Sequence, residues 1–436
     1  MRITNTILFL AFTVTFIRAQ VPYYYPPLDF NAEWETTNPA DLGWCAEPID
    51  SLYAFLDENN TKGFIILKSG KIVLEQYFDS FTKDSIWYWA SAAKSLTSVL
   101  IGFAQEEGLL SIEYATSDYL GVGWTNMDSA LENQIKIVHQ LSMSTGIDDN
   151  VDDLDCLEPA CLDFLIAPGE RWAYHNAPYR LLLDVIDAAA GRTINGYTDE
   201  KLRTTIGMRG FWLNYIRYSR ARDLARFGHF VLSDGIWAGD TLLFDTAYLH
   251  QMARPSQASN PAYGYLWWLN GQDSYMYPGV NISFNGPLFP TAPADMYSAQ
   301  GRNDQKIYVV PSLDMVVVRI GNNAFDIPFL SNSSFDTQLW NHINQLNCTT
   351  TSLKNARFEK FELDVFPNPA QDWLHLKKNM HTSCGRIQIV SLQGTVVDSM
   401  IWPVDQDDYR INIQSLLPGV YFLQIENGPA MKFLKR

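Results

Sequence analysis

The chain has 436 residues, of which 47% are hydrophobic and 18% charged, so it can bury a sizeable core and is not a disordered or low-complexity protein. Its length exceeds one typical core and predicts two domains. The formal net charge of -16 argues against nucleic acid or an anionic membrane surface as a partner.

The first nineteen residues have the architecture of a secretory signal. Arg2 supplies a positive start, Ile7 to Phe16 an apolar run, and Ala19 a small residue before Gln20. The run is too short to span a bilayer, and no later stretch reads as transmembrane. Removing residues 1–19 takes away Arg2 and Arg18, which leaves 30 basic against 48 acidic residues and a charge of about -18. Export permits disulfides. Cys156 and Cys161 bracket a short acidic loop and form one expected pair. Cys45 and Cys348 flank the larger domain and can meet where its ends pack together, while Cys384 has no obvious partner. None of the cysteine or histidine spacings matches a zinc site, so no metal or other cofactor is predicted.

Residues 20–45 are rich in proline and tyrosine and read as an extended leader. The runs 63–68 and 71–77 are strand-like and flank Ser69-Gly70, which makes them a hairpin. A helix follows over 91–107, with Leu96, Val99, Leu100 and Phe103 as its apolar stripe and Gly108 just past its end. Helices are also predicted over 134–143, over 177–190 behind Asn176, and over 220–233. Strand character returns at 264–269, 306–310 and 315–320. Strands at both ends with helices between them predict one sheet assembled from distant segments and flanked by helices. After a polar break near residue 350, short alternating strands at 373–376, 386–390, 409–413 and 420–425 predict a small β-sandwich.

Chemistry concentrates at two places. Ser91 and Lys94 lie three apart where the 91–107 helix begins, so they share a face one turn apart. A buried lysine can lose its proton near neutral pH and act as base for the serine hydroxyl. The helix start also directs the Ser91 N–H and the helix dipole at a developing oxyanion. Tyr174 and Asn176 follow a Pro168-Gly169 turn and supply a second proton carrier and a neutral amide; Asn176 also suits a helix cap. Ser80 and Lys83 match the same spacing, but they lie in a polar loop with no apolar stripe behind them. His175 invites a histidine triad, yet no serine lies in a Gly-x-Ser-x-Gly elbow, and Ser144 in Met143-Ser144-Thr145-Gly146 lacks the first glycine.

Ser91-x-x-Lys94, Tyr174-x-Asn176 and Ala299-Gln300-Gly301 together resemble the serine β-lactamase and penicillin-recognising family. The resemblance covers roughly residues 45–345 and is greatest to class C β-lactamases, family VIII esterases and 6-aminohexanoate-dimer hydrolases. It implies an α/β (α+β) fold, with an antiparallel sheet flanked by helices and a helical subdomain. It further implies that Ser91 is acylated, that Lys94 accepts its proton and that Tyr174 shuttles protons. Asn176, Gln300 and Gly301 then support the substrate, and the backbone N–H groups of Ser91 and Arg302 form the oxyanion hole. The family carries a lysine or histidine where this chain has Ala299. Loss of that cation turns the expectation towards small esters or amides, with a β-lactamase or D-alanyl-D-alanine carboxypeptidase as the alternative and a non-catalytic binding module as the third reading. Trp87, Trp89, Trp172, Trp267 and Trp268 are candidates for an apolar acyl pocket and equally for core.

The tail resembles a type IX secretion sorting domain in Val365-Phe366-Pro367-Asn368-Pro369-Ala370, in Leu417-Pro418-Gly419-Val420-Tyr421-Phe422 and in the terminal Lys432-Phe433-Leu434-Lys435. This implies passage through the periplasm to the outer-membrane secretion machinery and a secreted or cell-surface location. The predicted organisation is a signal at 1–19, a hydrolase domain at 20–348, a linker at 349–364 and a sorting domain at 365–436.

Overall fold

The computed structural model describes residues 23–29, 31–280, 282–324, 334–348, 363–378, 386–391, 396–403, 406, 408–425 and 430–436. The signal segment, nearly all of the linker and Cys384 lie outside them.

The expected hairpin forms as β1 (Thr61–Lys68) and β2 (Lys71–Tyr77). It joins β3 (Trp268–Leu269), β4 (Tyr297–Gly301), β5 (Gln305–Val310) and β6 (Met315–Gly321) in one sheet of order β2-β1-β6-β5-β4-β3. Every pairing in it is antiparallel. The first and last thirds of the domain thus meet at β1 and β6, where Phe64 to Lys68 run against Arg319 to Met315. Met315 to Gly321 are all buried, as expected of a strand covered on both faces.

Helices α1 (Ala46–Glu58), α2 (Ala93–Glu106), α3 (Asn176–Ala190), α4 (Ala221–Leu232) and α5 (Ser334–Asn344) surround the sheet or build the helical subdomain. Gly228 lets α4 lie directly on the sheet: a Cβ there would meet Val316 Cγ1 at 2.6 Å and Ile307 Cγ2 at 3.0 Å. The neighbouring residues of β5 point the other way, and Lys306 and Tyr308 both bond to Asp336 of α5. So α4 covers one face of the sheet and α5 the other. The alternation carries across to β4, where Ala299 pairs with Ile307 and Gln300 with Lys306.

Two expected elements are shorter than the sequence suggests. The helix predicted at 134–143 is confined to Ile137–Leu141, and its start is capped where the Lys136 N–H donates to His139 Nδ1 at 3.1 Å. The strand predicted at 264–269 shrinks to Trp268–Leu269. Leu266 has φ 61°, and a Cβ at Gly264 would lie 2.1 Å from the Met252 carbonyl oxygen, so the first part of that run is a tight turn against Met252.

Both expected disulfides are present, Cys45–Cys348 and Cys156–Cys161. In the C-terminal region, β7 (Leu363–Phe366), β8 (Trp373–Lys378) and β11 (Asp408–Asn412) form one sheet. β9 (Arg386–Ser391), β10 (Val396–Ile401), β12 (Gly419–Ile425) and β13 (Ala430–Lys435) form a second. Both sheets contribute to one core that includes Leu374, Leu376, Ile389, Ile411, Leu423 and Phe433, as the predicted sandwich requires. No helix among the described residues is long and apolar enough to cross a membrane.

Candidate active site

Helix α2 forms over the predicted apolar stripe and ends where Gly108 takes φ 69°. A 3₁₀ turn over Ala90–Ala92 precedes it. Ala90 has φ 47°, an uncommon conformation for a residue with a Cβ, and it directs the chain sharply into Ser91. Ser91 is half-buried at this turn, and Lys94 follows in the first turn of α2 with only 3% exposure. The Lys94 Nζ lies 2.9 Å from Ser91 Oγ and 2.9 Å from Asn176 Oδ1.

Segment 174–176 enters from the start of α3. Asn176 is the first residue of that helix, and its side chain does not cap it. Instead the amide bridges two groups: its oxygen accepts from Lys94, and its Nδ2 donates to Asp155 Oδ1 at 2.8 Å. Tyr174 is 9% exposed and its ring centroid lies 4.8 Å from Lys94 Nζ, while Tyr179 places its own ring 4.3 Å from the same amine. Trp268 stacks on Tyr174 at 6.0 Å, and Trp172 and Tyr263 close the aromatic wall around it. Trp89, Trp172, Trp267 and Trp268 are therefore core residues, two of them buttressing Tyr174.

Burial is the main force on the protons. It pushes Lys94 down to about 7, helped by the Arg180 guanidinium and opposed by the Asp155 carboxylate. Burial drives the Tyr174 phenol up, against a weaker opposing effect of its hydrogen bond with Ser91. Near pH 7 the pocket thus holds an amine that can take a proton beside a phenol that keeps its own. His175 is 2% exposed, and neither ring nitrogen has a hydrogen-bond partner, which leaves no basis for a histidine triad. Ser80 and Lys83 remain in the exposed or half-exposed loop after β2, away from this constellation.

The third motif packs beneath the serine. Ala299 and Gly301 face the helix-α2 side of β4, and a Cβ at Gly301 would lie 2.3 Å from the Trp89 carbonyl oxygen and 3.0 Å from the Ala92 nitrogen. The β4–β5 turn that carries exposed Arg302 places Asn303 and Asp304 at φ 62° and 59°, which asparagine and aspartate tolerate well. Asn303 Nδ2 donates to Tyr88 OH at 2.6 Å, and Arg319 Nη1 donates to the Asn303 carbonyl at 2.8 Å, so the turn is clamped from both sides. Gln300 departs from the expectation of substrate support. Its side chain is 1% exposed on the α5 side of the sheet, where it donates to Ser298 Oγ and accepts from Lys306.

Three contributors escaped the sequence reading. Tyr179 and Arg180 lie three and four residues after Asn176 on one helix, a spacing that places them on its face. Asp155 offered no such signal, because it reaches the site from a loop tied by Cys156–Cys161.

The family model described as Beta-lactamase matches residues 59–329 of this chain, and the one described as Secretion system C-terminal sorting domain matches residues 364–436. An uncharacterized protein of Alkalihalophilus pseudofirmus is 20% identical over 299 residues, covering 59% of this chain and 82% of its own. Among solved structures, a protein assigned as a 6-aminohexanoate-dimer hydrolase from Bacillus anthracis superposes with TM-score 0.56 at 18% identity, over 74% of this chain and 90% of the other. A family VIII carboxylesterase, at 12% identity, gives TM-score 0.53 over 72% of this chain and 99% of its own.

Proposed function

The chain belongs to the beta-lactamase family and is a serine hydrolase whose sorting domain directs it to the cell surface or beyond; from that premise we propose that it cleaves small esters or amides through an acyl-enzyme on Ser91. The observation that carries this reading is the Lys94 amine, buried and 2.9 Å from both Ser91 Oγ and Asn176 Oδ1.

In its neutral form, Lys94 gives one N–H to Asn176 Oδ1 and turns its lone pair to the Ser91 hydroxyl. Ser91 Oγ attacks the substrate carbonyl carbon as its proton passes to Lys94. The oxyanion receives the backbone N–H groups of Ser91 and Arg302. As the C–O or C–N bond breaks, the Tyr174 hydroxyl protonates the leaving group and is recharged from the Lys94 ammonium. Water then attacks the ester carbonyl, loses its proton along the same path and returns Ser91 to its hydroxyl form.

Substrate class is inferred from β4. Ala299 is fully buried on the site side, where related enzymes place a cation to hold a carboxylate. A carboxylate-bearing β-lactam or D-alanyl-D-alanine peptide gains no partner from that position, while a neutral ester or amide loses nothing. Turnover of nitrophenyl esters, linear amides and nitrocefin by wild type and Ser91→Ala tests this. Ester or amide turnover at least a hundredfold above nitrocefin, and lost with Ser91, supports the reading; a preference for nitrocefin overturns it.

A further inference from the structure

Asn176 presents two chemically opposite ends to its neighbours, and which end faces Lys94 decides whether the lysine can act. With Oδ1 towards the amine, Lys94 must spend an N–H there, and its lone pair is left for Ser91. With the amide reversed, Nδ2 would donate into that lone pair, and the base would be blocked.

Asp155 makes the choice. Its carboxylate accepts hydrogen bonds and cannot donate one, and it lies 2.8 Å from Asn176 Nδ2. The carboxylate is itself fixed: Arg180 Nη2 lies 3.0 Å from its second oxygen, and Arg180 Nη1 donates to the Asp155 carbonyl at 3.3 Å. The loop is anchored to α3 by the Ala177 N–H on the Leu154 carbonyl at 3.0 Å, and closed by Cys156–Cys161 one residue beyond. A continuous chain of polar contacts therefore runs from Arg180 through Asp155, Asn176 and Lys94 to Ser91.

We propose that Asp155 is a positioning residue of this hydrolase, which orients the Asn176 amide so that the lone pair of Lys94 is free for Ser91. The proposal rests on the reading of Lys94 as the base for Ser91. Around that amine stand the Arg180 guanidinium from α3, the Asp155 carboxylate from the loop, and the two un-ionised phenols of Tyr174 and Tyr179. Asp155 favours the ammonium form and Arg180 disfavours it.

Two isolated changes separate these roles. Asp155→Asn keeps the shape but can donate as well as accept, so it no longer selects the amide orientation. Arg180→Met removes one anchor of the Asp155 carboxylate together with the positive charge beside Lys94, and does not alter the hydrogen-bonding groups of Asp155 and Asn176 themselves. Lys94 is titrated directly by NMR in protein labelled with ¹³Cε-lysine, with Lys94→Ala to assign the signal, and pre-steady-state acylation by a nitrophenyl ester is followed against pH.

Asp155→Asn is expected to lower the Lys94 titration point and to cut the high-pH plateau of acylation ten- to a hundredfold, with KM changed less than threefold. Arg180→Met is expected to raise the titration point, the direction opposite to Asp155→Asn, and to lower the plateau by less than Asp155→Asn does. An Asp155→Asn protein that keeps the wild-type plateau overturns the proposal, whatever its titration point, because loss of the charge alone lowers the latter. Asp155→Ser, which removes the charge with a smaller side chain, is used if the asparagine variant does not fold and must show the same loss. If wild type itself forms no acyl-enzyme, the hydrolase reading fails, and the positioning is then read from the Asn176 side-chain ¹⁵N–¹H signals, which must shift between wild type and Asp155→Asn; unshifted signals overturn it.

Discussion

Gly301 lies against the backbone of Trp89, so close that an added Cβ would stand 2.3 Å from the Trp89 carbonyl oxygen. Neither side can yield cheaply, since both contacts are main chain: the Trp89 N–H is bonded to the Arg217 carbonyl at 2.8 Å, and the β4–β5 turn is clamped by Tyr88 and Arg319. Gly301→Ala is therefore expected to push the Arg302 turn away from Ser91 and to lower kcat/KM by at least a hundredfold, the scale of losing one oxyanion donor. Steady-state kinetics with a nitrophenyl ester checks it; activity within threefold of wild type would dissociate this turn from catalysis.

Lys94 sets a pH window. Its amine is held at about 7 in the fold, chiefly by burial, against about 10.4 in an unfolded chain. Acylation should rise through pH 7 as the amine loses its proton, with a tenfold fall per unit below that. For stability the sign is opposite to that of a stabilising ion pair. Between pH 7 and about 10.4 the unfolded chain binds more protons, so stability grows with pH over that range, and the penalty is complete below 7. Lys94→Met should abolish acylation yet melt a few degrees higher than wild type at pH 6 to 7, with the gap closing towards pH 10. Melting curves at both ends of that range decide it.

Gln300 should behave as a structural residue. It shares Lys306 with Asp336 in a buried cluster on the far side of the sheet from Ser91. Gln300→Ala removes one partner of a buried ammonium and is expected to cost about 1–3 kcal/mol of stability. Its kcat/KM, measured well below the melting point, should remain within threefold of wild type. A hundredfold loss of activity without loss of stability would return Gln300 to the substrate.

The two disulfides should separate stability from activity. Cys45–Cys348 joins residues 303 apart and closes the ends of the hydrolase domain. Cys156–Cys161 spans only 5 and closes the loop beside Asp155. Chain-entropy arguments give about 6 kcal/mol for the first and about 2 kcal/mol for the second. Paired cysteine-to-serine replacements are expected to lower the melting temperature far more for Cys45–Cys348, and to lower kcat relative to stability more for Cys156–Cys161. Denaturation midpoints and ester turnover measured side by side give both readouts.

Much of this was legible because the relevant signals are local. The apolar stripe Leu96, Val99, Leu100 and Phe103 and the glycine at 108 define α2, and that helix fixes Ser91 and Lys94 on one face. The 2-residue turn between β1 and β2 was equally plain. What escaped was decided by contacts far apart in sequence. Gly264 and Leu266 look like strand residues, but their backbone turns against Met252. Gln300 lies within a motif suggestive of substrate contact, and strand alternation sends its side chain to α5 instead. Asp155 is one acid among many in its loop, and only the approach of that loop to α3 brings it to Asn176.

The central claim is that Lys94 makes Ser91 the acylated residue, and intact-protein mass spectrometry with peptide mapping after exposure to a slowly hydrolysed ester tests it most directly. The predicted result is one acyl group per chain, on the peptide bearing Ser91, absent in Ser91→Ala and formed at least a hundredfold more slowly in Lys94→Ala. An adduct that persists in Ser91→Ala, or forms at the wild-type rate without Lys94, would contradict the account.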